Sequence, residues 1–142
     1  MAQNLIIVDS CVLIKAFRKD INAINDLKEI SGHTAYSIIT QLELLIGAST
    51  FTKKEVINKI FESYYGIPLN PLISAKGVEI MQKYVTGQQI ISVPDCLIAA
   101  TSIITGFPLL TYNKKDFDFI EGVNFYINKG RAHSPITNPH KT

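Results

Sequence analysis

The sequence predicts an α/β fold, a three-layer sandwich with a central, mainly parallel sheet flanked by helices. Three observations carry this expectation. Short apolar stretches such as Leu5-Ile6-Ile7-Val8 and Pro108-Leu109-Leu110-Thr111 have the length and residue types of buried strands. Longer segments between them repeat apolar residues at helical spacing, as in Val56, Ile57, Ile60, Phe61 and Tyr64. Strands alternating with helices need crossover connections, and those favour parallel pairing.

Each element follows in order. Residues 4–8 read as a strand buried on both faces. Residues 10–17 and 20–30 read as helices; in the second, Ile21, Ile24, Leu27 and Ile30 recur every three residues. A short strand is expected at 34–37 and a helix over 38–48 that stops at Gly47. The next helix covers 52–65, with Thr52 and Glu55 as a capping box. Ile67-Pro68-Leu69 is a short strand candidate, and 72–86 is helical with a weak point at Gly77. A helix over 94–105 has Pro94 in its first turn and Gly106 just past its end. Strands are expected at 108–112 and 123–127.

The chain has 142 residues, which fits one domain, placed at 1–128 with a flexible polar tail at 129–142. Its composition, 46% hydrophobic and 18% charged, excludes a disordered chain. Formal net charge is +2, but the tail holds Lys129, Arg131 and Lys141 and no acid. Removing those three from the 14 basic residues leaves 11 against 12 acids, a net of −1. Bulk charge therefore does not draw a polyanion to the body. Two cysteines, Cys11 and Cys96, are too few for a disulfide framework, and no Cys/His spacing suggests zinc. They read as small buried residues. His33, His133 and His140 are scattered and receive no role. No basic region precedes a long apolar stretch at the N-terminus, and no run approaches the ~20 apolar residues that span a bilayer. No membrane association is expected, and the cytoplasm is the default location.

The placement of four acids carries the functional reading. Asp9 closes the first apolar run, Glu43 interrupts Ile38–Ile46, Asp95 opens a helix and Asp116 follows the 108–111 run by a polar turn. Singly, each has an ordinary explanation. Asp9 caps a helix, Asp95 favours a helix dipole, and Asp116 sits in a solvated turn. Glu43 is harder to account for. Its neighbours at i−4 and i+3 are Ile39 and Ile46, and no basic residue lies three or four positions away. No Lys or Arg is placed inside the same apolar segments to pair with any of the four. Like charges brought together raise one another's pKa, and a divalent cation reverses that penalty. Hard oxygen ligands without His or Cys sets point to Mg²⁺ or Mn²⁺, which suits phosphodiester hydrolysis.

Four stretches extend the pattern: Val8-Asp9-Ser10-Cys11-Val12-Leu13-Ile14, Ile39 to Ala48 around Glu43, Asp95-Cys96-Leu97-Ile98-Ala99-Ala100-Thr101, and Thr111-Tyr112-Asn113-Lys114-Lys115-Asp116-Phe117. In this order and with these gaps the chain resembles a PIN-domain ribonuclease, closest to the VapC-type toxins of bacterial toxin–antitoxin pairs. The resemblance covers roughly residues 4–128. It implies a PIN-like sandwich and metal-dependent endoribonuclease activity. Asp9, Glu43, Asp95 and Asp116 would be the acidic metal and catalytic site, with Mg²⁺ or Mn²⁺ as cofactor. Asp9, Asp95 and Asp116 would be principal ligands, and Glu43 a ligand or the group that orients the attacking water. The Ser10 hydroxyl would support Asp9 or a metal-bound water, and Asn113 would orient Asp116 or touch a ligand. Cys11 stands where the family often has Asn or another small residue, a difference expected to affect packing only. Lys15, Arg18, Lys114 and Lys115 are the nearest candidates for RNA phosphate contacts. The resemblance also implies a cognate antitoxin and a homodimer.

Two phosphoryl-transfer readings fit less well. A haloacid-dehalogenase-type phosphatase needs a second Asp two residues after the first, where this chain has Cys11. A response-regulator receiver needs an acidic pair and a later Lys in strand context. The remaining alternative is a catalytically silent PIN-fold RNA- or protein-binding module, which would be expected to have lost acids that are all present here.

Overall fold

A computed structural model of the chain describes residues 4–85 and 90–129. Its element order is β1 (Ile6–Val8), α1 (Ser10–Phe17), α2 (Ile21–Glu29), β2 (Thr34–Ser37), α3 (Ile38–Ile46), α4 (Phe51–Glu62), β3 (Tyr65–Ile67), α5 (Pro71–Tyr84), α6 (Val93–Thr105) and β4 (Leu109–Leu110), then a 3₁₀ turn, Lys114–Asp116. The four strands form one sheet in the order β3-β2-β1-β4, every pair parallel. The expected α/β sandwich is what forms.

Two cores explain why β1 is apolar throughout. Leu5 and Ile7 point into one cluster with Ala35, Ile73, Ile80, Ile98 and Leu109, contributed largely by α5 and α6. Ile6 and Val8 point into the other with Val12, Leu13, Tyr36, Ile57, Phe61 and Leu110 from α1 to α4. Successive residues of a strand face opposite sides, so a central strand between two helical layers needs apolar residues at both. Parallel pairing sets the carboxyl ends of β1, β2 and β4 along one edge, the usual place for a site in such sheets.

Several local expectations shift. The N-cap of α4 is Thr50, whose hydroxyl accepts the Lys53 N–H at 3.1 Å, so the Thr52–Glu55 box is not formed. β3 begins two residues earlier than Ile67 and ends before Pro68, which cannot donate to a ladder. The strand expected at 123–127 reduces to a bridge between Leu109 and Phe125. Main-chain bonds from Leu109 N–H to Asn124 and from Tyr126 N–H to Leu109 flank it. Gly77 is a contact rather than a weak point. It is buried against α6, where a Cβ would lie 3.0 Å from Leu97 Cδ2, and its carbonyl accepts the Cys96 thiol at 3.1 Å. Gly106 ends α6 with φ +76°, the left-handed cap the sequence suggested. No described helix is long and apolar enough to cross a membrane. The tail expected at 129–142 lies outside the described residues except for Lys129.

Candidate metal centre

β1 delivers Asp9 to the carboxyl edge of the sheet, where it is the N-cap of α1 and only 4% exposed. Its main-chain N–H donates to the Leu110 carbonyl at 3.0 Å, continuing the β1–β4 ladder by one step. Asp9 Oδ1 accepts the Ser10 N–H at 2.9 Å. Asp9 Oδ2 accepts the Thr111 hydroxyl at 2.8 Å and the Cys11 thiol at 3.4 Å. Burial pushes the Asp9 carboxyl above the ordinary Asp range, these hydrogen bonds pull it back, and the charge of Asp116 adds to the rise.

The other acids arrive from three different elements. Glu43 lies on α3, half-buried, and its Oε1 is fully buried with no hydrogen-bond partner among the described residues. Burial raises its pKa first, then the charge of Asp9; the Ser10 hydroxyl opposes this and Asp95 adds to it. Asp95 lies in the first turn of α6, its N–H held by the Ser92 hydroxyl at 3.2 Å. Its pKa also rises, chiefly by burial, with the charges of Asp9 and Asp116 contributing. Asp116 closes the 3₁₀ turn, its N–H bonded to the Asn113 carbonyl at 2.9 Å. Each of the four acids thus feels at least one other as a like charge, and together they form one electrostatic cluster. The ion pairs among the described residues, Lys76–Glu79 and Lys83–Glu121, involve none of them.

This donor set suits a hard divalent cation: carboxylates only, mutually repelling, one of them with a buried oxygen left unbonded. No group of three acidic, histidine or cysteine side chains among the described residues is already arranged to hold an ion. A cation that keeps several waters, as Mg²⁺ does, fits such an open set better than one needing a tight protein cage.

Ser10 and Asn113 each meet at least one of the acids. Ser10 serves Asp9 through its main-chain N–H and Glu43 through its hydroxyl. Asn113 is exposed and steadies Asp116 through its carbonyl, with no capping bond from its side chain. Cys11 was expected to affect packing only; it is a hydrogen-bonding neighbour of Asp9, and burial beside that carboxylate pushes its thiol up to about 11. Sequence reasoning gave Thr111 no role at the site. The available signal was a polar residue at the very end of a buried strand.

The four basic candidates have different surroundings. Lys15 Nζ lies 5.6 Å from the centre of the Tyr112 ring, and Lys114 Nζ 5.7 Å from that of Phe125. Lys115 is exposed in the turn that carries Asp116. Arg18 lines a cavity of about 600 Å³ between α1, α3 and α4. Glu43 lines the same cavity, together with Phe17, Lys53 and Val56.

Comparison with known proteins places this geometry. The PIN domain family model matches residues 6–122. Ribonuclease VapC1 of Methanocaldococcus jannaschii is 32% identical over 126 residues, covering 87% of this chain and 88% of that protein. Ribonuclease VapC10 of Mycobacterium tuberculosis is 30% identical over 119 residues, covering 82% and 89%. Among solved structures, a toxin–antitoxin complex from Klebsiella pneumoniae superposes with a TM-score of 0.70 at 27% identity, covering 82% of this chain and 93% of that one. VapBC2 from Rickettsia felis, bound to a DNA fragment from its promoter, superposes with a TM-score of 0.73 at 22% identity. It covers 86% of this chain and 97% of the other, and at that identity speaks for the fold.

Proposed function

The chain belongs to the PIN-domain family, and on that premise we propose that it is a metal-dependent endoribonuclease acting as the toxin of a toxin–antitoxin pair. The observation that carries the reading is the buried Oε1 of Glu43, unbonded among the described residues, beside the like charges of Asp9 and Asp95, with none of the four acids in an ion pair among the described residues. Asp9, Asp95 and Asp116, with Glu43, would hold Mg²⁺ or Mn²⁺. When bound there, the cation supplies Lewis-acid stabilisation of charge on the phosphate oxygens and the leaving group.

The remaining work falls to the chain. Glu43 is a ligand of the cation or the group that aligns the attacking water, and a carboxyl raised above its usual range is better matched to taking that water's proton near neutral pH. Ser10 limits the rise by hydrogen bonding. Arg18, Lys115, Lys15 and Lys114 are the candidates for phosphate contacts. The cavity between α1, α3 and α4 is lined by Glu43 and by apolar side chains such as Ile14 and Val56, so an antitoxin segment seated there with one basic side chain would block the acids. A homodimer would set two such sites in one particle, in the cytoplasm.

The test uses the purified chain, freed of any partner, with total bacterial RNA. Mg²⁺ or Mn²⁺ is compared with chelator, and wild type with Asp95→Asn. Discrete fragments that need both the ion and Asp95 support the reading. Cleavage that survives Asp95→Asn removes the site assignment, and no cleavage by a folded, Mn²⁺-binding protein favours a silent binding module.

A further inference from the structure

The two oxygens of Asp9 have different surroundings. We infer that Thr111 and Cys11 are positioning residues that hold Asp9 Oδ2, leaving Oδ1 as the oxygen Asp9 offers to a cation. A carboxylate oxygen has about two lone-pair sites. Oδ2 receives two donors, the Thr111 hydroxyl at 2.8 Å and the Cys11 thiol at 3.4 Å. Oδ1 receives one, the Ser10 N–H at 2.9 Å, and keeps a site free.

Main-chain amides set the direction of both donors. The Asn113 N–H donates to Thr111 Oγ1 at 3.0 Å, and the Tyr112 N–H donates to Cys11 Sγ at 3.4 Å. Each side chain therefore accepts from the loop after β4 and sends its single proton to the same carboxylate oxygen. Thr111 Oγ1 and Cys11 Sγ also lie 3.5 Å apart, but each has only one proton, and the charged oxygen is the stronger acceptor. The result is a clamp that ties the first turn of α1 to the exit of β4 through Asp9. Groups that orient a ligand in this way commonly control metal affinity as much as the fold. A residue without a donor at position 11 would leave Oδ2 to Thr111 alone.

The metal readout rests on the proposed cation site, so the test carries a second readout that needs no metal. The Raman S–H stretch of Cys11 is isolated by subtracting the spectrum of the full-length Cys11→Ala protein, in which Cys96 remains. A band displaced towards lower frequency, moving back towards the free-thiol position in Asp9→Asn, is expected. A band at the free-thiol position in the wild type overturns the clamp. Mn²⁺ affinity is then measured by electron paramagnetic resonance on the wild type, Cys11→Ala, Cys11→Ser and Thr111→Val, with melting temperatures confirming the fold. Thr111→Val should weaken binding about 10-fold or more. Cys11→Ala should weaken it less, and Cys11→Ser should restore it. Unchanged affinity in both Cys11→Ala and Thr111→Val overturns the inference, as does a loss in Cys11→Ser equal to that in Cys11→Ala, which would mean volume rather than donation. Failure of the wild type to bind Mn²⁺ refutes the metal-dependent nuclease reading and with it the role given to Oδ1. The thiol band then decides separately whether Cys11 holds Oδ2.

Discussion

The Thr111 hydroxyl donates to Asp9 Oδ2 at 2.8 Å across 102 positions of sequence. Asp9 leaves β1 and Thr111 leaves β4, and these strands are neighbours in a parallel ladder, Val8 opposite Leu110. The site is therefore a consequence of strand order. Had β4 paired elsewhere, Asp9 would keep its helix cap and lose the donor that fixes its second oxygen. The same pairing carries the chain into the turn that presents Asp116.

The raised carboxyls make stability depend on pH in a defined direction. Asp9, Glu43 and Asp95 start from ordinary values of 3.8, 4.5 and 3.8 and all rise on folding. A folded state that holds protons more tightly than the unfolded chain gains stability at low pH and loses it as pH climbs through the folded pKa values. In chelator, the contribution of these groups is complete below about pH 4, the unfolded carboxyl range, and is lost above the raised values. Other ionisations add their own slopes, so the comparison is between wild type and Asp9→Asn. Melting curves followed upward from about pH 4 should show a steeper decline for the wild type, and Mn²⁺ should flatten it. Parallel curves for the two proteins would contradict the assigned shifts.

Glu43→Gln separates catalysis from stability. The change removes a negative charge that burial, Asp9 and Asp95 all disfavour, and keeps the side chain's shape. In chelator at pH 8 the variant should melt at or above the wild-type temperature, by about 3 °C for each kcal/mol of relieved repulsion. RNA cleavage should fall at least ~100-fold, because a general base contributes about that much or more. A variant that melts lower and cleaves normally would assign Glu43 to the fold instead.

How much of this was legible depended on whether the information was local. Asp9 and Asp95 announce themselves as acids at the boundary of apolar runs, and Pro94 marks the first turn of α6 by local chemistry alone. The Thr50 cap was missed because Thr52 and Glu55 offer an equally good local pattern, and only the folded chain shows which hydroxyl is used. Residues 123–127 have strand composition, yet they form a single bridge, Leu109 to Phe125, because β4 itself is two residues long and offers little ladder. The roles of Thr111 and Cys11 were hidden for a different reason. Their shared acceptor is set by tertiary pairing, and no spacing rule connects position 111 to position 9.

Gly66→Ala tests the edge of the sheet. A Cβ there would lie 2.8 Å from Tyr36 Oη and 3.0 Å from Tyr36 Cζ. Tyr36 is buried and its ring sits 4.4 Å from that of Phe61, centre to centre, so it has little room to withdraw. Overpacking of this kind costs about 1–3 kcal/mol. Chemical denaturation should show that loss without a change in Mn²⁺ affinity, since β3 lies at the opposite end of the strand order from β4. A loss below about 0.5 kcal/mol, the level of an ordinary surface change, would mean that the Tyr36 ring moves freely.

Arg18→Ala asks whether the cavity side of the site meets RNA. Arg18 is exposed at the C-terminal cap of α1 and lines the same cavity as Glu43. The body of the chain to residue 128 carries 11 basic against 12 acidic residues, so each correctly placed cation matters more than it would on a basic protein. A phosphate contact contributes binding that is equal in the ground and transition states, so its loss should raise KM several-fold and leave kcat nearly unchanged. Salt adds an independent check. On a single strand, each phosphate contact contributes about 0.7 to the slope of log affinity against log salt, and the variant's slope should shrink by about that amount. A fall in kcat at constant KM would instead place Arg18 at the reacting phosphate, where it would stabilise charge that develops only in the transition state.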